Sequence, residues 1–454
     1  MTKFFKEKVD FFYYFRNQTL AYLHFFYYLC TRIVNNHLNF NTTMKKLNLQ
    51  NIDRTFWGLY IILIVVAIIA LFSASSTLVY MHHSALGPIG QQMFFIVLGV
   101  LAAFGIQYIP SYWVRFGGYI LLAISTLLVY STMIPHNPLV VTINGAARWV
   151  RIAGITFQPS ELAKLSLIIV IADQLARIRT EDDKRKYFYR TLIIAAVVML
   201  PIMASNLSTA VLIGLIIFCL WILARIPWKY TMSVVGIAVL ALCLGYAIVE
   251  FGFVRPHREM HGPFKRATTW VARIDRHFEH DDGSKYKLTD ENIQEVYSAV
   301  AIARGGTTPL GVFPGNSKER DYLPLAFADY IFAIIVEESG VLGAAFLIFL
   351  YLAILFRACN VSSRYNDMPA MLMTMGLALM ITCQALISML VAVGLGPVTG
   401  QPLPLISRGG TSVLITSIYF GIMMGVSREQ LELRERVQET IEESQEDVPI
   451  VTLD

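Results

Sequence analysis

Apolar stretches of about twenty residues, the length that carries an α-helix across a 30 Å hydrocarbon core, recur along this chain, with its charged residues gathered between them. They predict spans over residues 56–75, 92–110, 113–134, 160–178, 191–206, 208–225, 231–252, 327–356, 370–394 and 410–427. Inside hydrocarbon every backbone N–H and C=O must be paired within the chain, which helices of this length achieve. The expected fold is therefore an all-α polytopic membrane protein of about ten transmembrane helices.

Composition agrees: the 454 residues are 56% hydrophobic and only 15% charged, against about 45–50% apolar and 25% charged in soluble domains. Orientation follows from Lys and Arg in the short loops. Basic residues before Arg54, at Lys184, Arg185 and Lys186, from Arg225 to Lys229, at Arg357 and Arg364, and from Arg428 onward all fall on one side. That side is predicted to be cytoplasmic, with both termini inside. The outer side then carries loops at 135–159 and 253–326 and the Pro- and Gly-rich stretch 395–410. Residues 1–51 read as a cytoplasmic amino-terminal segment, 52–430 as the membrane domain and 431–454 as an acidic cytoplasmic tail, a solvated helix with a disordered end.

The amino terminus lacks the pattern of a cleaved signal peptide. Aromatic residues such as Phe11, Phe12, Tyr13 and Tyr14 crowd the first 43 residues, which read either as an interfacial helix or as sequence upstream of a translation start at Met44. The five cysteines, Cys30, Cys219, Cys243, Cys359 and Cys383, have no CxxC or paired spacing, so no disulfide framework or zinc site is expected. His257, His261, His277 and His280 in the long outer loop also lack a ligand spacing, and no metal-ligating residue is assigned. The net charge of +5 is accounted for by the inside bias and implies no nucleic-acid partner. No GxxxxGK[ST] loop is present, which argues against ATP-driven transport by this chain alone.

Ionisable groups at bilayer depth cost several kcal/mol unless paired or hydrated, so they mark candidate chemistry. Three places stand out. In the first, Arg148 and Arg151 on the outer loop precede Ser160, a candidate helix cap, and Glu161 and Lys164, three apart on one helix face. That is either a capped helix with a satisfied ion pair or, given two outer arginines that oppose the topological rule, a phosphate site. In the second, a glycine-rich run ending in Asn316 and Ser317 leads to Asp329 at the mouth of a span. Glu337 lies roughly 12 Å deeper at 1.5 Å per helical residue. Asp329 fits a helix-start residue or a general base equally well; Glu337 and Glu338 fit a bonded structural role better. The third, Gly396 to Ser412 with Thr399, Ser407 and Arg408, is too rich in Pro and Gly for a helix. It reads as a re-entrant outer loop, since irregular backbone at that depth must be buried in protein or line a wet cavity.

Together, residues 144–164, 305–340 and 396–412 resemble the SEDS proteins, the FtsW, RodA and SpoVE group, and the resemblance extends over about residues 52–430. It implies the family's ten-span fold with a large outer loop between spans seven and eight. It also implies peptidoglycan glycosyltransferase activity: polymerisation of lipid II, the undecaprenyl-pyrophosphate-linked disaccharide pentapeptide, at the outer face of the cytoplasmic membrane. The family's essential aspartate follows a Leu-Pro pair at the start of span eight. Here that pattern is Leu323-Pro324 to Asp329-Tyr330-Ile331-Phe332, which makes Asp329 the catalytic residue. As base it would take the proton of the acceptor's C4 hydroxyl while that oxygen displaces the lipid pyrophosphate. Arg148, Lys164 and Arg408 are the implied holders of this leaving group, with a divalent cation, Mg2+ or Mn2+, as a candidate cofactor. Glu161, Ser317, Glu337, Thr399 and Ser407 complete the expected substrate-binding set.

Departures from the family pattern are equally plain. Where relatives carry an acidic residue between spans five and six, this chain has Ser205-Asn206-Leu207-Ser208-Thr209. Arg408 stands where an aromatic residue usually precedes the paired glycines, and Tyr330 where Phe is usual. Residues 316–324 and 329–340 look more like the septal FtsW branch than the elongation RodA branch. The resemblance thus implies work at the division septum with a class B penicillin-binding protein and other divisome membrane proteins. The partner's span is expected against spans eight and nine, where Gly376, Ala378 and Gly343 would leave room. Alternatives are a RodA-like elongation polymerase, a lipid II flippase, and a silent scaffold for division proteins. A carrier should keep its key charges near the midplane, so Asp329 at the outer mouth favours the polymerase.

Overall fold

The computed structural model describes residues 52–73, 86–134, 137–143, 146–152, 154–255, 267–278, 292–313, 316–319, 329–363 and 367–446. Expectations for residues 1–43 and Met44, for His257, His261 and His280, for Leu323-Pro324 and for the end of the acidic tail lie outside these residues. Twelve α-helices, a π-helical turn at Glu250–Val254 and one small sheet occur among them. The helices are α1 (Arg54–Ser73), α2 (Leu86–Ile106), α3 (Ser111–Ser131), α4 (Pro159–Leu175), α5 (Glu181–Ser205), α6 (Leu207–Leu223), α7 (Trp228–Val249), α8 (Ala267–Phe278), α9 (Ile293–Gly306), α10 (Ile331–Ser362), α11 (Met368–Ala392) and α12 (Thr411–Glu446).

Eight of these, α1, α2, α3, α5, α7, α10, α11 and α12, are long and apolar enough to cross a membrane. With α4 and α6, 17 residues each, they account for the ten expected spans. The helix starts follow local chemistry. Asp53 Oδ1 accepts from Thr55 N at 3.0 Å and Phe56 N at 3.1 Å at the head of α1. Thr180 and Asp183 form a reciprocal capping box, which is why α5 starts at Glu181 rather than near the expected residue 191. Asn206 caps α6 through Thr209 N at 3.2 Å.

α4 and α11 form the centre. Every residue of α4 except Leu162 is buried, and α4 packs on α3, α5, α6, α11 and α12. This explains how a span bearing Glu161, Lys164 and Asp173 is tolerated: its charges never face lipid. Around Asp173, Arg177 Nη2 approaches to 2.6 Å and Tyr119 OH donates at 2.7 Å. α7 is the opposite case. Only Thr231 and Val249 are buried on it, and it lies at the edge of the bundle.

Two expectations change. Gly376 and Ala378 face inward, not toward a partner: Ala378 is fully enclosed, and a Cβ on Gly376 would stand 2.6 Å from Ile168 on α4. The small residues of α11 serve the close approach of α4 and α6 instead. Second, residues 137–157 are more than a loop. β1 (Val140–Ile143), β2 (Ala146–Ile152) and β3 (Ile155–Phe157) make an antiparallel sheet in the order β1-β2-β3. Its strands are four, seven and three residues long, too short to register beside twenty-residue spans.

Candidate active site

The sheet, α8, α9 and the irregular loop 393–410 gather at one end of the bundle, where two of the ionisable residues singled out by their positions, Arg148 and Asp329, meet. Asp329 sits in the turn before α10, followed by Tyr330, which is buried at the N-cap. Its Oδ2 would lie 3.6 Å from a Cβ on Gly400, a residue with φ +63° in the loop. Glycine there opens the loop backbone toward the carboxylate and supplies a conformation that other residues adopt only at a cost.

Two guanidiniums act on Asp329. Arg148 comes from β2, where Trp149 pairs with Val141 and Ala147 with Thr142. Arg148 is thus the extra residue of a β-bulge, a device that re-aims a side chain. Arg273 comes from α8. Burial pushes the Asp329 carboxyl above its ordinary value of 3.8, while Arg148 and Arg273 pull it back down. An enclosed carboxylate of raised basicity beside cations has the properties of a general base whose reaction releases negative charge.

The loop is held from many sides through its main chain. Arg273 Nη1 donates to Val398 O at 3.0 Å, Ser208 Oγ to Thr399 O at 3.2 Å, Gln384 Nε2 to Pro402 O at 3.0 Å and Tyr351 OH to Pro404 O at 2.6 Å. Gln401 Nε2 donates to Thr209 Oγ1 at 2.6 Å, and Gly410 N to Gln92 Oε1 at 3.3 Å. Backbone that forms neither helix nor sheet at this depth needs such partners, or each orphaned group costs several kcal/mol.

The expected site residues separate into groups. Arg148, Asp329 and the Thr399–Gly400 backbone come together. Thr399 Oγ1 is enclosed without a hydrogen-bond partner among the described residues. Glu161 and Lys164 form a closed pair at 2.8 Å, and Lys164 Nζ also donates to Gln384 Oε1 at 3.0 Å, so they brace the loop from beneath. Ser407 Oγ accepts from Leu403 N at 2.8 Å and closes a turn within the loop. Arg408 is half-buried, and burial lowers its pKa. Arg151 points to the exposed side of the sheet.

Glu337 is fully buried and serves as an anchor. It receives Ser317 Oγ, Arg304 Nη1 at 3.1 Å and Lys318 N at 3.1 Å, while its own carbonyl accepts from Val312 N at 2.9 Å. Beside it α10 breaks at Gly340 (φ 68°, ψ −165°), and Leu342 N bonds to Pro309 O at 3.2 Å. The segment after α9 thereby plugs into the first turns of α10, directly behind Asp329.

Sequence reasoning missed Arg273, Gln384, Gln401 and Tyr351. Arg273 carried a readable signal, a cation in a stretch expected on the outer side, like Arg148. Gln384 and Tyr351 become meaningful only through loop carbonyls remote in sequence, and Gln401 through the Thr209 hydroxyl of α6.

These features define a polytopic membrane protein with a carboxylate, two guanidiniums and an irregular loop gathered at one end of its helical bundle. The chain belongs to the FtsW, RodA and SpoVE family of cell cycle proteins, whose family model matches residues 53–432. It is 30% identical over 400 residues to the probable peptidoglycan glycosyltransferase FtsW of Enterococcus hirae, covering 87% of this chain and 96% of that one. The corresponding protein of Saccharophagus degradans is 31% identical over 86% of this chain and 95% of its own. Among solved structures, one chain of a peptidoglycan synthase complex that coordinates polymerization and crosslinking matches with a TM-score of 0.62 at 24% identity, over 82% of this chain and 98% of that chain. The rod shape determining protein RodA of Thermus thermophilus matches with a TM-score of 0.58 at 22% identity, over 84% and 99%.

Proposed function

We propose that this protein is the septal peptidoglycan glycosyltransferase of its cell, polymerising lipid II at the outer face of the cytoplasmic membrane. The observation that carries this reading is the Asp329 carboxylate at the mouth of α10, facing Gly400 of the loop with the charges of Arg148 and Arg273 acting on it. Asp329 takes the proton from the acceptor sugar's C4 hydroxyl. The oxygen forms its bond to the donor's anomeric carbon as the bond from that carbon to the diphosphate oxygen breaks, and the electron pair leaves with the diphosphate. Arg148 stabilises the departing charge, and Thr399 Oγ1 offers a hydrogen-bonding group to a sugar beside Gly400.

One carboxylate flanked by two cations does not fit a protein-held divalent ion, which takes several oxygen ligands. Any Mg2+ or Mn2+ is accordingly assigned to the substrate's diphosphate, and no step here depends on it. The positive-inside pattern supports cytoplasmic termini and an outward-facing site. A class B penicillin-binding protein is the proposed partner, alongside other divisome membrane proteins. With α11 enclosed, the face open to a partner's span is that of α10, where Phe346, Phe349, Leu352 and Phe356 are exposed.

The test is glycan-strand formation from purified lipid II by the full chain with a transpeptidase-dead partner. Polymer from the wild type, with a loss of about a hundredfold or more in Asp329→Asn, is expected from the size of general-base effects. A folded, partner-bound wild type that makes no polymer overturns the reading in favour of flipping or scaffolding.

A further inference from the structure

We infer that Arg273 is a positioning residue of this site: carried on α8, it fixes the main chain of loop 393–410 against Asp329 and supplies positive charge beside that carboxylate. This rests on the glycosyltransferase reading and extends it to a helix that the sequence reasoning left without a role.

Its geometry separates Arg273 from an ordinary surface cation. α8 buries Ala267 and Val271 against Val249, with Trp270, Tyr246 and Val254 around them, so its apolar face rests on the end of α7. The acids of this α7–α8 unit are engaged elsewhere: Asp275 accepts from Tyr246 OH, and Glu250 pairs with Arg255 at 3.1 Å. The Arg273 guanidinium crosses instead to the loop, where Nη1 donates to Val398 O at 3.0 Å, two residues before the glycine that faces Asp329 Oδ2. A planar fork suits this double duty, since one N–H can hold a carbonyl while the delocalised charge lies toward an anion. Among the described residues, the charged groups that act on Asp329 are Arg148 from β2 and Arg273 from α8, on different elements. α7 is the least buried of the eight long spans, so Arg273 links the rim of the bundle to the carboxylate at the mouth of α10.

The experiment compares Arg273→Gln and Arg273→Lys with the wild type, each as the full chain with its transpeptidase-dead partner. It reads kcat/KM for polymer formation from lipid II against pH, together with the thermal unfolding midpoint. The Gln variant is expected to unfold at the wild-type temperature and to lose about 10- to 100-fold in kcat/KM. Its acidic limb should move to higher pH, because a cation that favours the ionised carboxylate is gone. Lys is expected to keep the limb near its wild-type position while losing part of the rate, since an ammonium lacks the fork. A Gln variant with unchanged rate and limb overturns the inference, as does one whose rate falls with the limb unmoved, which would reduce Arg273 to a structural brace. If Gln does not fold, a Lys variant at full wild-type rate overturns it equally. Absence of polymer from the wild type itself would reject the glycosyltransferase reading instead.

Discussion

At the residue scale, the site is organised by what surrounds one carboxylate. In the proposed reaction Asp329 serves as base only when ionised, and burial raises its pKa above 3.8. The acidic limb of kcat/KM is therefore expected above the ordinary aspartate range, and Arg148→Gln should move it further toward neutrality, as a pH–rate profile would show. A second expectation follows from the same shift. An acid whose folded pKa is raised favours its protonated form, so the charge it carries at neutral pH opposes folding, and the opposition disappears as pH falls through that raised value. Asp329→Asn should then abolish polymerisation while leaving the unfolding midpoint unchanged or higher, a trade of stability for function. A clear drop in the midpoint would instead make Asp329 a structural residue. How much of the site could be read in advance depended on the kind of residue. Asp329, Arg148 and Thr399 were legible because charge or irregular backbone near the membrane needs a reason. Arg273 carried the same signal within a soluble-looking stretch, where it was lost among other charges.

At the element scale, the informative departure is α10. Its hydropathy predicts one continuous span, but the helix breaks at Gly340, and Pro309 and Val312 supply backbone partners on either side of the break. Hydropathy cannot show such a break, because the residues that fill it come from another part of the chain. At φ 68° and ψ −165° the backbone is open essentially to glycine alone. A Cβ there would also collide with Pro309 O and Gly311 N. Gly340→Ala is expected to cost about 1–3 kcal/mol or more and to lower polymerisation by loosening the helix that carries Asp329. Unfolding in mixed detergent, with activity at a permissive temperature, separates the two effects. Wild-type stability in this variant would show that the break is not needed. The sheet at 137–157 was hidden for a related reason: three to seven residues per strand leave little periodicity to detect, yet its bulge sets the direction of Arg148.

At the scale of the whole molecule, the end opposite the site is closed by a compact ionic junction. Asp53, before α1, receives Arg357 of α10 through Nη2 at 2.7 Å and Nε at 3.1 Å, and Ser427 of α12 at 2.5 Å. The Asp53 side chain is only 1% exposed, so Arg357→Ala would strand a buried charge. The expected cost is about 3–5 kcal/mol, toward the lower end because the arginine is partly hydrated. A thermal midpoint within a degree of the wild type would remove the junction from the account of stability. The ten spans were legible because hydrocarbon thickness acts on each segment separately. Which spans become central was not, since α4 reads as one of the less apolar spans and yet lies innermost. The cross-bracing of loop 393–410 has a consequence for biosynthesis. Its anchors are drawn from α2, α6, α8, α10 and α11, with Lys164 of α4 bonded to Gln384 behind them, and its far end is set by α12, the most C-terminal helix among the described residues. The wall facing Asp329 therefore forms only once the helices from α2 to α12 have been threaded into the bilayer, and a nascent copy that still lacks α12 is expected to be catalytically silent.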